Sequence, residues 1–596
     1  MVKKLLVTTS IKKTWESDLP ICFLGEWCIL YDQKDYIKNI EFEVANYHWN
    51  DRKKLFNDFN FINKFYEEIL IEITPVLNRI HLVEENVNYW RLIIGPWLGV
   101  FLQVLYDRWY MLDCTIKNKT NSYEVNVLNS NYVSFIPSDM NDFQKKITND
   151  DWNEVIYSEI LFNYSSILIN KIDNISNEII NEKSRIYKFF DFKKITKSIL
   201  NRVSGLISKS TDVFIISSYL PFKKALELHF KLGQIPKFWY SPEMEKSDVD
   251  CQLRQILISK FQKSESFEQI ARMMIFKFIP ISYLENFKKI LEETNKIGWP
   301  KNPKAIFTSN NFFEDEFFKI WTAEKQKNNS ALLIGQHGGN YGTSLFNFSE
   351  GHEIKISDFY FTWGWKFNNM ASKKVKPLFN LKISNTKIKY DKNGCLLLVT
   401  MALPRYSYQL YSVPIASQYL NYLQSQFDFV EALPEYLQKQ ILVRLFPQDF
   451  GWSQKERWID RFPNINIDNG KENYLKQISK CKIFISTYNA TTFLETLSFN
   501  VPTIIYWDPE YWELRDEAIP FFRILEEVGI LHFNVKSAVS KLLEILNNVD
   551  QWWFQENTQN AIKLFCIQFS NSVENPINIL KNTIESSIQE KQSKFN

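Results

Sequence analysis

A cluster of glycines around a histidine is the clearest candidate for chemistry in this chain. Six of the 16 glycines lie within residues 335–364, and residues 335–342 read Gly-Gln-His-Gly-Gly-Asn-Tyr-Gly directly after an apolar run. In open α/β sheets, ligands bind beyond the carboxyl ends of strands, where glycine lets a ligand approach the backbone. His337 suits a general base or a hydrogen-bond donor to phosphate. A tight turn around a core histidine is the alternative; we predict a functional His337, with binding neighbours Gln336, Gly338, Gly339 and Tyr341.

A second candidate is a hydroxyl-rich turn within residues 482–495, which read as strand, polar turn and helix. A helix N-terminus attracts phosphate, because its first N–H groups are unpaired and the helix dipole is positive there. Glu495, within the first helical turns, could accept hydrogen bonds from ribose hydroxyls. Capping of an ordinary helix is the alternative, and we predict a nucleotide site. Its other polar residues are Ser486, Thr487, Asn489, Thr491 and Thr492.

Two charged residues near strand ends complete the candidate set. Arg444 lies in the run 441–445, where a guanidinium can bind phosphate or an anionic sugar through two hydrogen bonds; an ion pair is the alternative. Glu26 follows the run 21–24 and could act as a base that faces the same cleft; a solvated acid or a helix cap is the alternative. We predict His337 and Glu26 as the catalytic residues and Arg444 as a binding residue.

The sequence carries no recognisable metal or cofactor motif. Residues 248–250, Asp-Val-Asp, match a short pattern of metal-dependent sugar transferases, but they directly precede a helical run, where Asp favours the first turn. No P-loop, dinucleotide, zincin or hydrolase-elbow motif occurs. We therefore expect neither a metal nor a cofactor.

Composition is that of a globular protein with balanced charge. The chain has 596 residues, with 71 Lys and Arg against 68 Asp and Glu, which argues against a nucleic-acid partner. A hydrophobic content of 45% and a charged content of 23% exclude global disorder. Seven scattered cysteines give no zinc or disulfide pattern, so a reducing cytoplasm is the simplest location.

Strands that alternate with helices on both sides of a lysine-rich stretch predict an α/β fold with two halves. The N-terminal half covers 1–365 and carries a helical insertion at about 53–200. We expect a linker at 366–392, a second half at 393–550 and a helical segment at 551–596.

The run 92–106 is apolar and free of charge, but its 15 residues fall short of the roughly 20 that span a bilayer. We predict a buried helix there, with an interfacial role as the alternative.

Several motifs together resemble a bacterial family of transferases in surface-polysaccharide and O-antigen biosynthesis. They are Leu-Gly-Glu-Trp-Cys at 24–28, Gln-His-Gly-Gly-Asn-Tyr-Gly at 336–342, Thr-Thr-Phe-Leu-Glu at 491–495, Val-Pro-Thr-Ile at 501–504, Trp-Asp-Pro at 507–509 and Phe-Phe-Arg at 521–523. The family looks like a GT-B glycosyltransferase, with two Rossmann-like domains that face a cleft and a C-terminal helix that crosses back to the first. The Gln-His-Gly motif is distantly similar to capsule transferases of 3-deoxy-manno-octulosonic acid (Kdo).

The resemblance implies a metal-independent glycosyltransferase. Its donor would be a nucleotide sugar bound to the second half, with a CMP-activated acidic sugar such as Kdo or a nonulosonic acid favoured. Its acceptor would be a glycan or a lipid-linked glycan on the first half, near residues 217–218. The resemblance also implies a cytoplasmic protein that works at the inner face of the inner membrane, with a peripheral membrane contact as one option.

Two other functions remain open from the sequence. A polyol-phosphate transferase with a CDP donor would use the same fold and would leave phosphate in its product. A non-catalytic glycan-binding subunit is the other hypothesis, although polar residues at two separate strand ends favour an enzyme.

Overall fold

The computed structural model describes residues 2–118, 121–173, 204–205, 208–245, 247–366, 373–382 and 388–593. Within these residues the chain forms three parallel β-sheets with helices packed around them, which confirms the expected α/β class. Parts of the predicted insertion and of the predicted linker lie outside the described residues.

The first sheet has five parallel strands in the order β3-β2-β1-β4-β5. The strands are β1 (Val2–Val7), β2 (Ile21–Phe23), β3 (Phe42–Val44), β4 (Asn121–Leu128) and β5 (Leu168–Ile172). Leu5 of β1 lies in register with Ile21 on one side and Glu124 on the other. The run 5–7 is buried, as is typical of a central strand covered on both faces.

Two helices of 30 residues follow β3. The helix Arg52–His81 is capped by the Asp51 carboxylate, and the helix Val87–Ile116 by the side chain of Asn86. Each cap satisfies backbone N–H groups that have no partner within the helix. The two helices pack against each other. The second also contacts the helix Asp150–Leu161, which packs on β4, and the helix Glu316–Lys327, which packs on β8.

The apolar run 92–106 lies inside the second of these helices and is buried, which confirms the predicted buried helix. Gly95 and Gly99 permit close packing there, because an added Cβ would collide with His352 at the first and with Phe348 at the second. Among the described helices, none combines the length and the apolar character needed to cross a membrane.

Shorter helices complete this part of the chain. They are Lys12–Trp15, Glu26–Cys28, Tyr31–Gln33, Lys34–Ile37, His48–Asn50, Tyr132–Phe135, Met140–Lys146 and Asp150–Leu161.

The second sheet also has five parallel strands, in the order β10-β9-β8-β7-β6. The strands are β6 (Phe214–Ile215), β7 (Ala305–Thr308), β8 (Ala331–Gly335), β9 (Phe359–Thr362) and β10 (Val375–Pro377). The helices of this region are Phe222–Lys231, Cys251–Ile258, Phe267–Phe278, Ile281–Tyr283, Phe287–Thr294, Asn311–Glu314, Glu316–Lys327 and Phe348–Ile356. Asp250 caps the helix Cys251–Ile258 by accepting from the Leu253 amide, as the sequence indicated for the Asp-Val-Asp run.

The third sheet has six parallel strands in the order β13-β12-β11-β14-β15-β16. The strands are β11 (Cys395–Val399), β12 (Ile441–Arg444), β13 (Asn466–Asp468), β14 (Cys481–Ser486), β15 (Thr503–Tyr506) and β16 (Leu531–His532). The helices are Gln418–Glu431, Glu435–Gln438, Gln454–Arg461, Tyr474–Ile478, Thr491–Ser498, Ile519–Glu527, Val535–Ile545, Val549–Trp553, Glu556–Phe569 and Pro576–Ser593.

The last helix, Pro576–Ser593, returns from the third sheet to the second. Its residues Ile577, Leu580 and Ile584 share one buried apolar cluster with Leu333 and Phe359 of the second sheet. An ion pair of 2.6 Å between Lys591 and Asp358 secures its end. The returning helix is the crossing that the GT-B resemblance implied.

The N-terminal half departs from the prediction in its elements. Residues 121–128 and 168–172, which lie inside the predicted helical insertion, form strands β4 and β5 of a separate sheet. The first half of β4 is not buried, so its apolar signal is confined to 125–128 and is easily taken for loop. The predicted linker 366–392 likewise contains strand β10.

Candidate active site

A cavity of about 630 Å³ lies where the second sheet faces the third. Its walls come from the residues after β6, β7 and β8, from the segment 408–411, and from Ala490 and Thr491 after β14. These positions are the carboxyl ends of parallel strands, where α/β proteins bind ligands, and the volume suits a small-molecule site. The cavity is therefore the candidate active site.

The glycine loop and the hydroxyl-rich turn meet at this cavity. The Gly339 amide donates to Thr491 Oγ1 at 3.1 Å, and Asn489 Nδ2 donates to Thr343 Oγ1 at 3.3 Å. A Cβ at Gly339 would lie 2.5 Å from the Ala490 carbonyl carbon. Only glycine permits this approach of two backbones, so the loop and the turn form one site.

Gln336 shapes the glycine loop from within the core and is 1% exposed. Its Oε1 accepts from the Trp363 amide at 2.9 Å and from Trp365 Nε1 at 2.8 Å, while its Nε2 donates to the Gly338 carbonyl at 2.7 Å. These bonds use the polar atoms of the amide. The structure thus places Gln336 as a support of the loop, whereas Gly338, Gly339 and Tyr341 line the cavity.

His337 lines the cavity, and its ring stacks on that of Tyr219 with centroids 6.1 Å apart. Burial and, to a smaller extent, the charge of Lys382 lower its pKa to about 4. The imidazole is therefore neutral near pH 7, which suits a proton acceptor better than a cation for phosphate. Its Nε2 lies 3.2 Å from Tyr341 Oη, and its Nδ1 is buried. Proton transfer to His337 thus needs either ring rotation or passage through the Tyr341 hydroxyl.

A buried acid lies behind this histidine. Tyr341 Oη donates to Glu353 Oε1 at 2.7 Å and lies 3.2 Å from His337 Nε2, so the phenol lies between the acid and the imidazole. Burial raises the pKa of Glu353 well above its ordinary value, and the neighbouring Glu350 raises it further. Glu350 forms an ion pair of 2.8 Å with Arg515. Burial therefore favours the protonated form of Glu353, next to the Tyr341–His337 pair.

The hydroxyl-rich turn divides into supporting and lining residues. Ser486 donates to the Tyr488 carbonyl, Thr487 to the Val399 carbonyl and Thr492 to the Tyr488 hydroxyl. Thr491 lines the cavity, and Asn489 Oδ1 is buried without a hydrogen-bond partner among the described residues.

None of these hydroxyls caps the helix Thr491–Ser498, whose N-cap is Ala490. Simple capping is thus not their role, and the first amides of the helix lie at the cavity wall.

Lys382 is a cation of the site that the sequence analysis missed. Its charge acts on both His337 and Glu495, and its ammonium lies 5.0 Å from the Tyr219 ring centroid. Burial raises the pKa of Glu495 to about 7, against the opposing effect of Lys382. Among the described lining residues there is no Lys or Arg. Lys382 lies in the lysine-rich stretch that the sequence analysis predicts to be a linker. Among so many lysines, nothing in the sequence marks Lys382 as a site residue.

Arg444 does not face the cavity, contrary to the prediction. Its guanidinium pairs with Asp468 at 2.6 Å and donates to the carbonyls of Gly470 and Glu472. Asp468 lies directly opposite on β13, in register with Arg444. The ion pair that the sequence left as the alternative is therefore the observed arrangement.

Glu26 also lies apart from His337, since it is not among the residues that line the cavity. Burial raises its pKa, and the charge of Arg457 opposes that rise. Arg457 belongs to the helix Gln454–Arg461, so Glu26 faces the junction of the first and third sheets. Glu26 and His337 each follow a strand, but the two strands belong to different sheets. Their side chains therefore do not meet.

Several other residues line the cavity, and of these only Ser217 lies where the resemblance implied the acceptor. Ser217 and Tyr219, just after β6, both adopt left-handed backbone conformations, with φ of 46° and 60°. Such strained non-glycine residues cluster at functional sites. Asn310 and Asn311 follow β7, where the strand-end rule could have found them; the other lining residues include Asp315, Tyr408, Gln409 and Tyr411.

Comparison with known proteins identifies the family. Residues 4–584 match the family model described as LIC12162 family transferase. No curated protein matches the chain.

Solved structures resemble the chain only weakly. A UDP-GlcNAc 2-epimerase from Neisseria meningitidis, bound to UDP-GlcNAc, is 11% identical, with a TM-score of 0.33 over 66% of this chain and 97% of that one. An α,α-trehalose-phosphate synthase (UDP-forming) from Burkholderia vietnamiensis is 8% identical, with a TM-score of 0.30 over 52% and 76%. Likeness at this level gives no information on substrates. The family match covers nearly the whole chain, and the protein belongs to the LIC12162 family of transferases.

Proposed function

We propose that the protein is a glycosyltransferase that moves a sugar from a nucleotide donor to a surface-polysaccharide or O-antigen acceptor. The observation that carries this proposal is the cavity in which the glycine loop contacts the start of the helix Thr491–Ser498. A transferase needs two substrates side by side, and this cavity takes its walls from two sheets.

The donor would lie against the third sheet. The first amides of the helix Thr491–Ser498 and the ammonium of Lys382 would bind its phosphate, because both offer positive charge or unpaired N–H groups. Glu495, one turn further along that helix, would accept hydrogen bonds from the ribose. The favoured donor is a CMP-activated acidic sugar such as Kdo or a nonulosonic acid, and this choice rests on the sequence resemblance.

The acceptor would lie on the second sheet, near Ser217 and Tyr219. Its hydroxyl oxygen attacks the anomeric carbon, the bond from that carbon to the phosphate oxygen breaks, and the nucleotide leaves with the phosphate. His337 takes the hydroxyl proton, which a neutral imidazole can do. We propose that the reaction needs no metal and that it takes place at the inner face of the inner membrane, with 1–365 as the acceptor half and 393–550 as the donor half.

A thermal-shift panel tests the proposal. Purified protein would be heated with CMP, CDP, UDP, GDP or dTDP, each with and without EDTA. A ligand that binds only the folded state stabilises it by about 2.7 kcal/mol at a hundredfold excess over Kd. We expect selective stabilisation by CMP that EDTA does not change; stabilisation by another nucleotide would change the donor class, and no stabilisation by any of the five would contradict the proposal.

Two adjacent threonines give the matched variants for this panel. Thr491→Val removes the hydroxyl that lines the cavity and should reduce the CMP-dependent shift. Thr492→Val removes a hydroxyl that bonds to Tyr488 and should leave the shift unchanged. Mass analysis of the product then distinguishes the reaction types, because phosphate in the product would indicate a polyol-phosphate transferase instead.

A further inference from the structure

Large apolar side chains are exposed beside the β6 end of the cavity. Phe222, Phe230 and Ile235 are 63%, 67% and 55% exposed, and Tyr219 and Phe238 are each more than a third exposed. Single exposed apolar side chains are common, whereas five of them occur within residues 219–238, and apolar side chains that lie together on a surface indicate a binding site. We name these five side chains the 219–238 face.

The helix Phe222–Lys231 organises this face. Phe222, Leu226 and Phe230 are spaced four residues apart, so they lie along one side of the helix. On the other side, Leu228 is buried in the apolar cluster that the second sheet forms with the C-terminal helix. The ring of Phe238 stacks on that of Phe222 with centroids 5.6 Å apart, which joins the following loop to the helix. Phe222 and Phe230 therefore lie on the side of the helix opposite the buried Leu228, and Phe238 extends their apolar surface.

Positive charge borders the 219–238 face. Lys223 and Lys231 are exposed, and none of the ion pairs found among the described residues includes either of them. The acid of the same helix, Glu227, pairs with Lys224 at 3.0 Å. Aromatic side chains flanked by uncompensated lysines are typical of helices that lie at the interface of an anionic membrane.

We propose that the 219–238 face docks on an anionic lipid surface. The phenyl rings would enter the boundary between headgroups and acyl chains, and Lys223 and Lys231 would contact the lipid phosphates. A protein partner would not need this charge, and the lysines are what favour a membrane over a second copy of the chain.

Docking in this way would bring the cavity to the lipid headgroups. Tyr219 lines the candidate active site, and Phe238 lines a second cavity of about 500 Å³ that shares Ser217 and Asn311 with the first. A lipid-linked acceptor could then enter from the membrane side. This consequence rests on the proposed function, whereas the docking itself does not.

Vesicle co-sedimentation of the full chain tests the docking. The vesicles would contain phosphatidylcholine alone or phosphatidylcholine with phosphatidylglycerol. We expect binding to the anionic vesicles only, and a loss of about tenfold or more in the double variants Phe222→Ser/Phe230→Ser and Lys223→Glu/Lys231→Glu, since each lysine near such a surface contributes about fivefold. The control Leu564→Ser/Ile567→Ser removes two similarly exposed apolar side chains elsewhere and should bind as the wild type does.

Each other result overturns the proposal. Wild-type protein that ignores both kinds of vesicle, or a control that loses as much as the test variants, would exclude a specific lipid-docking face. A dimer in sedimentation equilibrium that the Phe222→Ser/Phe230→Ser variant dissociates would assign the face to a second copy. Circular dichroism establishes that the variants fold, and because the assay needs neither donor nor acceptor, its failure is independent of the proposed glycosyl transfer.

Discussion

Two buried carboxyl groups differ in whether their neighbours stabilise the ionised form. One cluster of side chains surrounds Asp107, which accepts from Tyr47 at 2.9 Å and His48 at 3.0 Å and pairs with Arg108 at 2.7 Å. Ser407 donates to the same carboxylate from the third-sheet region. Although burial alone would raise it, the His48 hydrogen bond and the Arg108 charge hold the pKa of Asp107 below its ordinary value.

The second cluster surrounds Glu353 beside the cavity. Its carboxyl also accepts from a tyrosine, but the neighbouring cation, Arg515, pairs with Glu350 instead. Burial therefore raises the pKa of Glu353 well above its ordinary value. The Asp107 cluster stabilises a charge with partners on both carboxylate oxygens. In the Glu353 cluster burial favours the protonated acid, and the Tyr341 hydroxyl lies between that acid and His337.

The largest effect should come from the histidine of the second cluster. His337→Ala should lower turnover by about two to four orders of magnitude if His337 is the base, with donor binding retained. Radiolabelled sugar transfer measures this, and a thermal shift with CMP measures donor binding. His532→Ala, a buried histidine at the edge of the third sheet, is the matched control and should keep its turnover. A loss below tenfold in the His337 variant would remove His337 from catalysis.

Substitution in the Asp107 cluster should instead lower the free energy of unfolding. Arg108→Met leaves Asp107 buried without its cation and should cost about 3–5 kcal/mol of unfolding free energy. Arg272→Met breaks a largely exposed ion pair with Glu72 and should cost about 1 kcal/mol or less. Urea denaturation compares the two variants. If Arg108→Met cost no more than Arg272→Met, the Asp107 cluster would not be the structural support that its contacts indicate.

The contact between the two walls of the cavity should be next in size. Gly339→Ala places a Cβ against the Ala490 backbone, and overpacking of this kind costs about 1–3 kcal/mol. Transfer activity should fall as well, because the two walls separate. Gly351→Ala is the control: no atom lies within 4 Å of its added Cβ, and it sits inside the helix Phe348–Ile356. It should gain about 0.5–1 kcal/mol, and equal thermal stability of the two variants would contradict the close contact.

Local signals made part of this site predictable. An apolar run followed by glycines located β8 and the loop of His337, and a polar turn after an apolar run located Thr491 and the helix that follows. The sequence shows which residues follow a strand, and hence which edge of the sheet they occupy, but it does not show the order of the strands within the sheet. Arg444 lies on β12, which β11 separates from β14, and its partner Asp468 comes from the outer strand β13.

Contacts between distant segments set the rest. Glu353 contacts Tyr341 because the helix Phe348–Ile356 packs against the loop of Tyr341. No motif or periodicity in the sequence predicts this contact. Glu26 lies away from the cavity because the strand before it, β2, belongs to the first sheet, whose strands β4 and β5 carry a weak apolar pattern. Burial of polar groups is a property of the assembled fold, so the two clusters could not be told apart before the fold was known.

The smallest effect should be the pH dependence of nucleotide affinity, which we expect to depend on only one of two buried acids that have the same raised pKa. Burial raises the pKa of Glu495, in the helix that begins at the cavity wall, and of Glu154, in the core near β1, to about 7 in each case. The ionised form of Glu495 is the better acceptor for ribose hydroxyls. Affinity for the donor nucleotide should therefore rise severalfold from pH 6 to pH 8, and Glu495→Gln should remove this rise.

Glu154→Gln is the matched variant and should keep the rise in nucleotide affinity. An acid whose pKa is raised on folding binds its proton more tightly when folded, so its contribution to stability is present below pH 4.5 and is lost as pH increases to about 7. The unfolding free energy of Glu154→Gln should thus depend less on pH over that range than that of the wild type. Calorimetric titration with CMP and urea denaturation measure the two dependences. Glu154 accepts from Thr8 and Thr9, just after β1, and is not among the residues that line the cavity. Loss of the affinity rise in Glu154→Gln would therefore contradict the assignment of this pH dependence to Glu495.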